Sequence, residues 1–152
     1  MADIPKSGFK ITRLDLVECS FHRTLEVNYE EGPDGKKESN NFNLNVDPVV
    51  QGNSVSCTLT LKYGSFYGDT RQIEAVVSYR GQFEFFGELP IKPEEFSRVN
   101  AAGIIFPFVK EQLANLCMKA GVRIVWLPPV NFVEMARLTD EQAKKNAPPS
   151  VE

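Results

Sequence analysis

Two long stretches near the middle of the chain alternate between apolar and polar side chains, and this alternation constrains the fold most. In SVSCTLTLKY, residues 54–63, every odd position from Val55 to Tyr63 is apolar or aromatic, and the positions between them are Ser, Thr or Lys. QIEAVVSYRGQFEF, residues 72–85, repeats the pattern. A period of two places one kind of side chain on each face of a β-strand. Because GSFYGDT between them carries two glycines, the two stretches are predicted to form a hairpin with one buried face.

Two further strands are predicted upstream. NFNLNVD places Phe42, Leu44 and Val46 on one face. FKITRLDLVECSF, residues 9–21, changes phase twice, and a β-bulge accounts for such a change because it inserts an extra residue into one strand. Its apolar positions are odd at Phe9 and Ile11, even at Leu14 and Leu16, and odd again at Cys19 and Phe21. The turn-like segment EEGPDGKK joins these two strands, so the pattern predicts a four-stranded antiparallel meander.

The second half of the chain has helical spacing. KPEEF indicates a helix start, since Pro93 suits the first helical position and the two glutamates complement the helix dipole. Apolar residues then recur every three or four positions, namely Ile105, Phe108, Val109, Leu113, Leu116, Cys117 and Ala120, with Gly121 as the stop. Pro107 would collide with the carbonyl of Gly103, where glycine can yield, so a kinked rather than a broken helix is predicted.

A second helix is predicted to open at NFVEMARL. Asn131 is a good N-cap there, and Glu134 completes a capping-box-like pattern. Residues 1–8 and 145–152 are expected to be disordered tails. The whole chain, residues 1–152, is therefore predicted to be a single α+β domain, a four-stranded antiparallel β-meander followed by a long kinked helix and a second, C-terminal helix.

Composition and charge exclude several classes of protein. The chain has 152 residues, a net charge of -3 and 42% hydrophobic residues, which are ordinary values for a globular domain. Without a broad basic field, nucleic acid is not an expected partner. The N-terminal sequence has no apolar core of signal-peptide length, and no run approaches the roughly 20 apolar residues of a membrane span. A cytoplasmic protein without membrane insertion is expected.

Residues that commonly carry catalysis or bind metals are sparse. The three cysteines, Cys19, Cys57 and Cys117, are far apart in sequence and are interpreted as buried small hydrophobes rather than a disulfide framework. The one histidine, His22, follows Cys19 by three positions, so the two side chains are expected on opposite faces of a strand. No phosphate-binding loop, nucleophile elbow or HExxH motif is present. The sequence predicts neither an enzyme nor a metal or cofactor site.

The stretch IIFPFVKEQLANLCMKAGV, followed by LPPVNF, resembles the SecB family of bacterial export chaperones. Phe106, Pro107 and Phe108 match a Phe-Pro-aromatic triplet in the kinked helix of that family, and residues 129–132 match the Pro-Val-Asn-Phe that closes its next loop. Upstream, FKITRLDLVECSF, FNLNVD and QFEF resemble the family's first, second and fourth strands. The resemblance covers about residues 9–140.

This resemblance implies an ATP-independent holdase that assembles as a homotetramer, a dimer of dimers, and binds unfolded polypeptides in exposed apolar grooves, linked to protein export. The matching groove positions lie on the second strand, the loop before the second helix and that helix. They are Phe42, Leu44, Val46, Val125, Trp126, Leu127, Phe132, Met135 and Leu138. The alternative for these residues is that they complete the subunit core. Aromatic and methionine side chains suit many different client sequences.

Family members that deliver clients to the SecA motor present acidic residues on the polar face of the sheet. Glu18 and Glu74 are the candidates here, whereas His22 and Val76 stand where acids are expected. The short C-terminal tail also lacks the motor-binding segment of those members. SecA is thus a weak candidate partner, and a SecB-like chaperone dedicated to an antitoxin or another specific client is the alternative. From another class, a carrier of small hydrophobic ligands would fit the same elements.

Overall fold

The computed structural model describes residues 8–87 and 91–148, in which four antiparallel strands form one sheet. The strands are β1 (Phe9–Arg23), β2 (Glu38–Gln51), β3 (Ser54–Tyr67) and β4 (Thr70–Phe85). Each of the four strands predicted from the alternation is present, and all neighbours pair antiparallel. The α+β class is confirmed by the helices that follow.

The meander runs through β2, β3 and β4 only, because the strand order is β1-β4-β3-β2. This corrects the prediction for β1, which pairs with β4 and not with β2. The link formed by residues 24–37 can cross the sheet end, since three inter-strand steps span only about 15 Å. Gln72 on β4 holds this link: its Oε1 accepts the Asn28 N–H at 2.8 Å, and its Nε2 donates to the Asn28 carbonyl at 2.9 Å.

Strand β1 contains the irregularities that its sequence predicts. Its register with β4 shifts between Ile11 and Arg13 and again between Leu16 and Glu18. Each shift adds a residue to one strand and so restores the phase of the apolar positions. The β1 side chains that pack against the core are consequently Phe9, Leu14 and Phe21, from both phases of the sequence pattern.

The helical segment predicted from Pro93 is present, but it is not one regular helix. It consists of α1 (Pro93–Glu95), a π turn (Phe96–Asn100) and α2 (Ala101–Ala120). In the π turn the Ala101 N–H donates to the Phe96 carbonyl, five residues earlier. The wider turn brings Phe96 towards the same side as Ala101 and Ile105. Its ring lies 4.6 Å from Phe9, 5.5 Å from Phe83 and 5.1 Å from Phe85, measured between centroids.

Helix α2 passes through Pro107 without a break and lies over β3 and β4. It ends where predicted, at Gly121, whose φ of 70° is the left-handed C-cap conformation. Close approach to the sheet depends on Gly81, because a Cβ there would lie 2.9 Å from Cδ1 of Ile105. The core between α2 and the sheet includes Val55, Leu59, Ile73, Phe83, Ile105, Val109 and Leu113.

The three cysteines do not share one environment. Cys57 and Cys117 are buried in the core, as interpreted from the sequence, whereas Cys19 is exposed. Cys19 stands on the edge strand β1, and α2 packs over β3 and β4 instead. Its interpretation as a buried residue is therefore wrong, and its Sγ lies 3.4 Å from Nε2 of Gln112 at the surface.

Asn131 caps helix α3 (Phe132–Asn146) as predicted, since its side-chain oxygen accepts the Glu134 N–H at 3.0 Å. The helix includes Lys145 and Asn146, the first two residues of the expected C-terminal tail. Residues 1–7 and 149–152, which make up most of the two expected tails, lie outside the described residues. None of the helices in the described ranges combines the length and hydropathy that a membrane-spanning segment needs.

Candidate functional site

An apolar groove of about 270 Å³ runs between strand β2 and helix α3. Leu44, Val46 and Pro48 form the β2 wall, because alternate residues of this strand face the helices. Met135 and Ala136, on the side of α3 that faces the sheet, form the opposite wall. Since β2 is the edge of the sheet, the groove is open to solvent along one side. This surface can bind an extended apolar segment without any rearrangement of the core.

The structure brings three of the predicted client-binding residues together, namely Leu44, Val46 and Met135. Phe42 continues the same face of β2, where its ring stacks on Tyr63 at 5.3 Å and remains 42% exposed. Leu138 lies on α3, one turn beyond Met135, and is 51% exposed. The five residues thus form a row of apolar positions on β2 and α3, the two elements that border the groove.

In the loop between α2 and α3, the adjacent residues Trp126 and Leu127 differ sharply in solvent exposure. Trp126 is 85% exposed, whereas Leu127 is only 9% exposed and Val125 is half-buried against the core. Phe132, at the start of α3, is 7% exposed and meets the ring of Phe106 at 5.7 Å. Leu127 and Phe132 therefore pack in the core of the subunit in this structure and are not among the residues that line the groove.

Two charged residues that sequence reasoning missed also line the groove. Arg98, in the π turn, and Asp140, on α3, meet at its wall with a shortest separation of 2.9 Å between Nη2 and Oδ1. Forty-two positions separate them in sequence, and neither forms a local pattern with its neighbours. Their pairing depends on the tertiary fold, so no local sequence pattern could have predicted it.

The two acidic residues predicted on the polar sheet face do lie together. Glu18 and Glu74 line one shallow depression of about 630 Å³, which also contains Lys62 and Arg71. Nη1 of Arg71 lies 3.0 Å from Oε2 of Glu74, and its guanidinium lies over the Phe66 ring at 5.3 Å. Glu74 thus lies beside a cation of its own subunit, and with Lys62 and Arg71 in the same depression the face is of mixed charge rather than purely acidic.

Burial shifts the pKa of titratable groups in the core. Burial raises the pKa of the Cys57 thiol to about 12, with a smaller contribution from the charge of Asp47. Burial likewise raises the pKa of Tyr63 to about 12. Both groups are thereby held in their neutral forms. Within residues 8–87 and 91–148, no three His, Cys, Asp or Glu side chains come close enough to hold a metal ion.

His22 and Cys19 lie on opposite faces of β1, as expected from their spacing. His22 is paired in register with Glu74, whereas Cys19 is paired with Val77 of the buried face. His22 is exposed at the surface. The two side chains cannot act together on one substrate or one ion.

The fold is shared with a solved SecB-like chaperone of Mycobacterium tuberculosis, determined in complex with a ChAD peptide from the HigA1 antitoxin. The TM-score is 0.57 at 12% sequence identity, and the match covers 81% of this chain and 91% of the other. Both chains place four antiparallel strands in one sheet beside a long helix and a C-terminal helix. The fold is that of a SecB-like chaperone.

The family model described as preprotein translocase subunit SecB matches residues 6–143, so the chain belongs to the SecB family. The protein-export protein SecB of Azoarcus sp. (strain BH72) is 25% identical over 122 residues, which cover 76% of this chain and 81% of that relative. An uncharacterized protein of Methanocaldococcus jannaschii is 30% identical over 66 residues, 43% of each chain. The family consists of holdase chaperones for unfolded polypeptides, linked to export or to a specific client.

Proposed function

We propose that this chain holds unfolded polypeptide segments in the groove between β2 and α3, with Trp126 as a second contact. The groove carries the proposal, because two separate elements expose apolar side chains towards one open channel. Trp126 is 85% exposed, and a large rigid aromatic surface of this kind binds varied apolar segments well. We propose that binding and release need no ATP, since the groove is open to solvent along one side, and that the chain acts in the cytoplasm.

The functional unit that we propose is a homotetramer, a dimer of dimers. The apolar residues Ala101, Ala102 and Phe106 of α2 are buried within the subunit itself, so they offer no surface to a second copy. The structure offers other support, since the edge strand β1 exposes apolar side chains on a surface that a second copy could cover. Those residues are Ile11, Leu16 and Val17, at 46%, 44% and 52% exposure.

A dedicated client suits the polar sheet face better than general delivery to SecA. A partner attracted by negative charge would meet charges of both signs on this face, because Glu74 lies beside Arg71. Glu18 remains, but Lys62 lines the same depression. The SecB-like chaperone of similar fold was solved with a peptide from an antitoxin, and a single-client role of that kind is the form of the function that we favour.

The carrier hypothesis is disfavoured by the shape of the site. Ligand pockets for small molecules are typically enclosed spaces of roughly 300–1,000 Å³ that cover most of the ligand. The groove between β2 and α3, at about 270 Å³, is open along one side and would leave much of such a ligand exposed. An extended polypeptide can use such a channel, because it needs contact along one face only.

The test is suppression of aggregation of a chemically denatured client, followed by light scattering as the client is diluted from denaturant. The change Met135→Ser removes an apolar wall residue, and a loss of about 1 kcal/mol of apolar contact would weaken client affinity roughly fivefold. Val133→Ser is the matched control, because Val133 is 63% exposed on the same helix but lines a depression beside α1 rather than the groove. Equal activity of the two variants would place client binding elsewhere.

A further inference from the structure

Helix α3 is held unevenly along its length. Its first turn is anchored by Phe132, which is buried against Phe106, and by the half-buried Met135. From residue 137 onwards, every described residue of the chain is exposed. Within the described part of the chain, the side chain of Asp140 accepts hydrogen bonds from a residue outside α3 and so connects this exposed half to another element. Beyond the continuity of the helix itself, Asp140 thus connects the distal half of α3 to the π turn.

The partner of Asp140 is Arg98 in the π turn. Its Nη2 lies 2.9 Å from Oδ1 and its Nη1 lies 3.3 Å from Oδ2, a two-pronged arrangement that fixes orientation as well as distance. Nη2 also donates to the Ala136 carbonyl at 2.8 Å. The Arg98 side chain is 29% exposed and that of Asp140 is 60% exposed. Solvent screens such a pair, so it can open and close without a large energetic cost.

Both members of the pair line the wall of the groove, next to Met135. We propose that Arg98 and Asp140 form a latch that sets how closely α3 approaches β2, and therefore the width of the groove. The inference rests on the proposed client-binding function. A bulky unfolded segment must move α3 away from β2 to enter fully, and that movement has to release the pair. Arg98 is thus a positioning residue for client entry.

The latch is tested with Asp140→Asn, which keeps the size of the side chain and removes its charge. Glu141→Gln is the matched control, since Glu141 is the next residue and bonds Arg137 within the same helix. Both changes remove one negative charge, so they alter the attraction of a charged client equally. Both residues are exposed, so neither change threatens the fold.

Two measurements are made on both variants. Hydrogen exchange of the backbone amides of residues 137–146 is expected to accelerate roughly two- to fivefold in Asp140→Asn, the effect of losing an exposed ion pair, and to stay unchanged in Glu141→Gln. The association rate of a labelled, reduced and carboxymethylated polypeptide, which stays unfolded, is expected to rise by a similar factor in Asp140→Asn alone. Asp140→Glu should restore part of the wild-type behaviour.

The outcomes separate the latch from the function on which it rests. If Asp140→Asn matches Glu141→Gln in both hydrogen exchange and association rate, the latch is refuted even when the wild-type protein binds the client. If exchange accelerates but the association rate does not, the pair holds α3 without controlling entry, and the proposal again fails. If the wild-type protein binds no unfolded polypeptide, both the proposed function and the role of the pair in client entry are refuted. The hydrogen-exchange data still show whether the pair restrains α3.

Discussion

Trp126 gives the sharpest test of the client surface, because its neighbour Leu127 has the opposite environment. An indole side chain has roughly 250 Å² of surface, and Trp126 is 85% exposed, so roughly 200 Å² is free for contact. If a client covers half of this, about 100 Å² at about 25 cal/mol/Å² amounts to about 2.5 kcal/mol. We expect Trp126→Ser to weaken client binding roughly tenfold to sixtyfold, the lower figure allowing for the ordering of the client.

The assay uses the fact that the chain has one tryptophan. Titration with an unfolded client that lacks tryptophan should shift the wild-type emission to shorter wavelength, since the indole leaves water. Anisotropy of a labelled client then compares the affinity of Trp126→Ser with that of the wild-type protein. The free energy of unfolding should change by less than about 0.5 kcal/mol, as expected for an exposed position.

Leu127→Ala is the control for folding. Leu127 is 9% exposed, and truncation of a buried leucine costs about 2–5 kcal/mol. This variant should therefore lose stability while Trp126→Ser does not. Emission that stays constant at saturating client, together with unchanged affinity of Trp126→Ser, would refute the reasoning and leave Trp126 outside the client surface.

Five other outcomes are expected. A thiol reagent at pH 8 should modify Cys19 rapidly and Cys57 and Cys117 only on unfolding; rapid labelling of all three would contradict the buried positions. Because the pKa of Cys57 is raised to about 12 from 9.0, the neutral thiol stabilises the fold fully below pH 9, and that contribution should fall as the pH rises from 9 towards 12 in chemical denaturation. Gly81→Val should lower the melting temperature, since even a Cβ would lie 2.9 Å from a side chain of α2; an unchanged transition would mean that α2 can move away. Light scattering at micromolar concentration should report a tetramer. Titration with SecA at physiological salt should show weak or no binding. Submicromolar SecA binding that Glu18→Ala abolishes would instead support the export role.

The local features of this fold could be read from the sequence because neighbours along the chain determine them. Alternation of side chains assigned all four strands, and the two phase changes in residues 9–21 correctly indicated the bulges of β1. The N-cap at Asn131 and the stop at Gly121 were equally clear, since each depends on the conformation of a single turn. The π turn was not predicted, because its cause is the packing of Phe96 against rings from two strands.

The candidate site likewise has features that the sequence indicated and features that only the structure shows. The apolar pattern identified Leu44, Val46 and Met135, but it could not say whether an apolar side chain is covered by its own subunit or left open. Leu127 and Phe132 have patterns like those of their neighbours and are buried, whereas Trp126 is exposed. Hydrophobicity favours removal from water without specifying what covers the side chain.

Strand order and long-range pairing were decided by the tertiary structure alone. The pattern of β1 identifies its apolar positions but does not say whether β2 or β4 is its neighbour. In the structure β1 pairs with β4, and the link of residues 24–37 that makes this possible is bonded to Gln72 of β4. The pairing of Arg98 with Asp140 likewise exists only when the π turn and α3 are already in place. Contacts between distant residues follow from how whole elements pack, and no local pattern along the chain records that packing.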